Sequence, residues 1–140
     1  GYVGDIPHTR EPLITRSASS RELLGDLKRA GVELTNYRGP TSVYSEILWQ
    51  GKARGIDVVS LWGAVPMYVQ GSYPKVAHRL LRTLVSLIGV EVDLTEVEQK
   101  ADALDARLDA EAQDNPELRQ LISGLESEYR ISRARPSYTV

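Results

Sequence analysis

The sequence predicts an α/β unit followed by an α-helical hairpin, on three observations. Short β-prone segments alternate with amphipathic stretches through residues 12–89, the order that lays crossover helices on a sheet. One segment, residues 56–65 (IDVVSLWGAV), is nearly continuous in apolar residues, as a central strand covered on both faces requires. Beyond residue 91 the chain turns rich in Asp, Glu and Ala, with apolar residues at steps of three and four.

The opening stretch, GYVGDIPHTRE, shows neither a helical nor a strand period and reads as a loop. PLITRSAS, at 12–19, is β-prone. Ser19 followed by Glu22 has capping-box spacing, so a helix is expected over 21–30, stopped by Gly31, where glycine takes a positive φ cheaply. VELTNY, at 32–37, alternates and reads as a strand with one wetter face. After the turn RGPTS, Thr41 or Ser42 is placed to cap a helix over 42–54, closed by Gly55. The apolar strand follows, and Gly71, Ser72 and Pro74 then punctuate the chain before a helix over 74–88. That helix carries Val76, Leu80, Leu81, Leu84, Val85 and Ile88 on one broad stripe, and Gly89 ends it.

In the acidic region, Leu94, Val97, Ala101, Leu104 and Leu108 form one apolar stripe, and Leu118, Leu121, Ile122, Leu125 and Tyr129 form a second. Between them Asn115 is a cap and Pro116 occupies a first helical position. So short a connection predicts an antiparallel pair, with Leu104 and Leu125 in the seam and Asp105 and Glu111 outward. The expected division is a core domain part at 1–91, a hairpin at 92–131 and a mobile tail at 132–140.

Composition narrows the function classes. The 140 residues hold 41% apolar and 26% charged side chains, ordinary for a soluble globular domain. Seventeen basic against nineteen acidic residues give a net charge of −2, so no field gathers a nucleic-acid backbone. The absence of cysteine excludes disulfides and thiolate metal sites and fits a reducing cytoplasm. Two histidines seventy residues apart leave little for a dedicated metal centre, and none is expected. No apolar run is long enough to span a bilayer, so no membrane partner is expected.

Three stretches are candidate ligand sites. In the opening loop, Asp5 can orient His8, while Thr9 and Arg10 can grip a carboxylate or phosphate. An ordered loop with no ligand explains the same residues. YRGPTS, at 37–42, enters a helix amino terminus, where Gly39, Thr41 and Ser42 suit an anion or simply cap the helix. It lacks the phosphate-loop Lys and the spaced glycines of a dinucleotide site, so no cofactor is expected. After the apolar strand, Trp62, Pro66, Met67 and Tyr68 can wall a pocket or belong to core and interface.

DIPHTRE, YRGPTSVYSEIL and IDVVSLWGAVPMYVQGSYPKVAHRLLRTL together resemble the proteasome assembly chaperone family in its long actinobacterial-type form. The acidic segment VDLTEVEQKADALDARLDAEAQDNPELRQLISGLESEY resembles the helical subdomain appended in those proteins. Glu11 departs from the proline that the family tends to carry after the Arg. The resemblance implies a three-layer α/β/α, phosphorylase-like unit, incomplete here because the family's upstream strands are absent. It further implies a non-enzymatic protein that self-associates and contacts proteins, proteasome subunits among them. The alternative is a small-molecule or nucleoside-type enzyme, or a ligand-binding protein, using the crevice of Asp5, His8 and Arg10.

Overall fold

The computed structural model describes residues 1–35 and 41–134. In chain order it contains β1 (Tyr2–Gly4), β2 (Ile14–Ala18), α1 (Arg21–Arg29), β3 (Glu33–Leu34), α2 (Val43–Ala53), β4 (Val59–Pro66), α3 (Pro74–Ile88), α4 (Thr95–Asp114) and α5 (Pro116–Ala134). The described strands form one sheet in the order β1-β4-β2-β3. Three can be read from the sequence. The fourth, β1, lies inside the opening stretch, where three residues are too few for an alternation to register. The sheet is mixed: β1 runs parallel to β4 and β3 parallel to β2, whereas β2 and β4 are antiparallel.

The apolar strand β4 sits between neighbours, as its composition requires, and successive side chains leave opposite faces. On one face Gly63 lies beneath α3, so closely that a Cβ there would collide with Val76 Cγ2. Its cross-strand partner Ile14 joins Leu27 of α1, Val32, Tyr73 and Val76 in the core. Burying a leucine as fully as Leu27 contributes about 1.5–3 kcal/mol. On the other face Trp62 meets Tyr44 of α2 edge to face, ring centroids 4.8 Å apart. Helices therefore cover both faces of the sheet. The outer side of α3 carries α4, and α5 packs on α4.

Several local expectations shift. Ser20, not Ser19, is the N-cap of α1 and accepts from the Leu23 amide, while Ser19 Oγ accepts from the Val58 amide. Described residues of the expected 32–37 strand pair only at Glu33–Leu34, and residues 36 and 37 lie outside the described residues. On α3 the inward stripe is Val76, Leu80, Thr83 and Leu87, while Leu81, Leu84 and Ile88 are exposed. Thr83 can sit inside because its hydroxyl donates to the Arg79 carbonyl one turn back. Asn115 caps α5 as expected, its side-chain oxygen accepting from the Glu117 and Leu118 amides. Helix α5 runs on to Ala134, past the start of the expected tail.

Candidate functional site

Strands β1 and β4 are parallel and in register at Gly4 and Pro66, so the loops that follow them leave the sheet at the same end. That brings His8 and Tyr68, sixty residues apart in sequence, into contact. The first loop is tightened by the Arg10 amide donating to the Pro7 carbonyl at 3.1 Å, and the second by the Val69 amide donating to the Pro66 carbonyl at 3.0 Å.

His8 is 1% exposed. Its amide donates to the Tyr68 hydroxyl at 2.7 Å, and its Nδ1 lies 2.7 Å from the same oxygen. That hydroxyl has one proton, and Nδ1 of a neutral imidazole is its natural acceptor. The network therefore assigns the remaining ring proton to Nε2, which faces Asp109 Oδ1 at 3.1 Å. Burial pushes the Tyr68 phenol up to about 12, so it keeps its proton at neutral pH.

The rest of the loop meets carboxylates as well. Thr9 donates through its hydroxyl to Glu126. Arg10 donates to Glu126 Oε2 from Nε at 2.9 Å and Nη2 at 2.6 Å, and its guanidinium lies 5.5 Å from the centre of the Tyr129 ring. The hydrogen bonds from Arg10, and after them that from Thr9, hold the Glu126 carboxyl below its ordinary value. Lys75, in the first turn of α3, donates to the His8 carbonyl and to Asp105 Oδ2, the latter at 2.6 Å. Asp105 and Asp109 are one turn apart on α4, and Glu126 and Tyr129 nearly one turn apart on α5. One loop thus meets one face of each helix.

The structure brings four of the nine sequence-derived residues together: His8, Thr9, Arg10 and Tyr68. Asp5 lies instead in a groove with Met67 and α5. Trp62 sits against Tyr44 on the α2 face. Thr41 and Ser42 are exposed at the start of α2, where Ser42 serves as N-cap through its carbonyl and makes no side-chain cap bond. Gly39 lies outside the described residues. Sequence reasoning missed Lys75, Asp105, Asp109 and Glu126, and placed Asp105 outward. Its half-buried pairing with Lys75 corrects that. The only signal was the i, i+4 spacing of Asp105 and Asp109, which any acidic helix also shows. Among the described residues no three metal-ligating side chains converge, and no helix is long and apolar enough to cross a membrane.

The model of the PAC2 family matches residues 1–112. A PAC2 family protein from Streptomyces avermitilis is 34% identical, with a TM-score of 0.69 over 87% of this chain and 51% of that one. A proteasome-assembly chaperone homologue from Mycobacterium tuberculosis is 29% identical, with a TM-score of 0.69 over the same shares. A second M. tuberculosis protein, of unknown function, is 28% identical with a TM-score of 0.78 over 94% of this chain and 44% of its own. The chain thus spans about half the length of these relatives. No curated protein matches it.

Proposed function

Because the chain belongs to the PAC2 family, we propose that it acts as a proteasome-assembly-chaperone-like binding protein, through protein contacts and self-association rather than catalysis. The observation that carries this reading is the apolar surface of α2. Val43, Tyr44, Ile47 and Trp49 are all exposed, Trp49 at 68%. Val43, Tyr44 and Ile47 share one side of the helix and Trp49 projects from another, and exposed Trp, Tyr and aliphatic side chains of this kind mark contact surfaces. The M. tuberculosis relative described as a proteasome-assembly chaperone homologue supports proteasome subunits as the partner class. A cytoplasmic site of action belongs to the same proposal.

The enzyme alternative needs Asp5, His8 and Arg10 to converge on a substrate. His8 is enclosed between Tyr68 and Asp109, Arg10 is engaged by Glu126, and Asp5 faces a different groove. No open acid–base pair remains at the loop. The test is sedimentation of the purified protein with isolated proteasome α-type subunits, alongside a turnover assay on nucleosides and phosphate esters. Complex formation that Ile47→Ser with Trp49→Ser abolishes is the expected result. Turnover that His8→Ala removes, with no complex formed, would overturn it.

A further inference from the structure

Between the loops that follow β1 and β4 and one face of α5 lies an open groove of about 610 Å³. Met67, Leu121 and Leu125 give it an apolar floor, with Met67 45% and Leu121 37% exposed. Asp5, Glu117 and Glu128 stand around that floor, and among the described residues no basic side chain lines it. Every described ion pair uses other carboxylates: Asp109, Glu126, Asp26, Asp105 and Glu96. Three carboxylates therefore border apolar surface without an ion-pair partner among the described residues, which leaves the groove with a negative rim.

Gly124 adds a steric observation. It lies in the interior of α5, where glycine is a poor helix former, and it lines the groove. A Cβ placed there would meet nothing within 4 Å, so no packing among the described residues requires the side chain to be missing. Its absence leaves the helix backbone open to close approach from outside.

We infer that this groove receives a basic amphipathic segment of a partner protein, one apolar side chain over Gly124 against Met67 and Leu121, flanked by Lys or Arg facing Asp5, Glu117 and Glu128. Charge complementarity selects that occupant: phosphate backbones and anionic lipid surfaces are repelled by the same three carboxylates. The inference rests on the proposed role in protein contacts and adds a second surface, chemically distinct from the apolar α2 face.

The probe is a synthetic 14-residue peptide with two leucines at i, i+4 and lysines flanking them, titrated into the full chain by fluorescence anisotropy and amide NMR. Two controls replace the lysines by glutamate or the leucines by serine. The expected result is binding that both controls lose, with shifts centred on Leu121, Gly124 and Met67. Glu117→Gln with Glu128→Gln should weaken it at least fivefold. Gly124→Leu, which keeps every charge and favours the helix, should weaken it about tenfold without lowering the melting temperature, and Gly124→Ala less. Binding indifferent to Gly124→Leu, or weakened as much by Glu98→Gln with Asp102→Asn on α4, would overturn the groove as a site. Those outcomes leave the α2 test standing, because Ile47 and Trp49 are not part of the groove, so failure of one proposal is distinguishable from failure of the other.

Discussion

His8 shows how a buried imidazole becomes structural. Both ring nitrogens and its amide face partners, so removing any one partner strands a polar group in a dry place. Tyr68→Phe should therefore cost about 1–3 kcal/mol of unfolding free energy, although it deletes a single oxygen. A double-mutant cycle with His8→Ala should show that the two losses do not add, because they break the same bonds. Additive losses in denaturant melts would mean that the two side chains act independently. Nitrogen NMR of the imidazole should find the proton on Nε2.

Arg16 is the opposite case: it is buried on β2, yet its Nε and Nη1 have no hydrogen-bond partner among the described residues. Replacing a buried charged group whose polar atoms are only partly paired by an apolar side chain of similar length is often neutral or stabilising. Arg16→Met should leave the melting temperature unchanged or raise it, and a drop of several degrees would show that the guanidinium is held by something that matters.

At the scale of elements, most of the helices could be read because their signals are local. The glycines at 31, 55 and 89 all carry positive φ just beyond α1, α2 and α3, and Asn115–Pro116 opens α5. The acidic helices are legible for the same reason, since Ala101, Leu108 and Leu125 are buried along the stripes that their spacing draws. What could not be read is anything fixed by tertiary pairing. The three residues of β1 become a strand only beside β4. The carboxylates that meet the loop are chosen by where α4 and α5 lie, which spacing does not encode. Thus His8, Thr9 and Arg10 were visible as a cluster, but not the side chains that would satisfy them.

The same contrast sets the mutational profile of α4 and α5. Leu125→Ala should cost about 2–5 kcal/mol, and Leu104→Ala should fall toward the lower end because it is only partly buried. Glu111→Ala should stay within about 0.5 kcal/mol. Asp105→Ala should not, since it leaves Lys75 half-buried without its carboxylate. Calorimetric scans rank these four directly, and equal tolerance would mean that the two helices are not seated as described.

Glu126 gives the attachment of α5 a pH dependence. Its carboxyl is held below the ordinary value of 4.5 by Arg10 and Thr9, so the folded state favours the ionised form. The resulting stability is fully present above that value and is lost as pH falls through the lower, folded-state pKa. Wild-type protein should therefore lose melting temperature on acidification below about pH 4.5 more steeply than Glu126→Gln. Parallel acid limbs for the two proteins would remove Glu126 as the titrating group.

At the scale of the whole molecule, the sheet ends on one side at β1, whose far edge has no strand beside it among the described residues. Val3 on that strand is 72% exposed, and Tyr2 is exposed as well. Unpaired edge amides and carbonyls beside exposed β-branched and aromatic side chains are a template for another strand. The chain also spans only about half of the length of its relatives. The 140-residue chain should therefore associate through this edge as its concentration rises. A charge placed on an edge strand opposes such pairing, because joining a second sheet would bury or juxtapose it. Val3→Lys should accordingly shift the chain toward monomer in sedimentation velocity. Trp49→Ser, on α2 rather than on the strand, should leave this particular equilibrium in place. Were Trp49→Ser to dissociate the assembly and Val3→Lys to spare it, the contact would run through the α2 face, and self-association would compete with partner binding for the same surface.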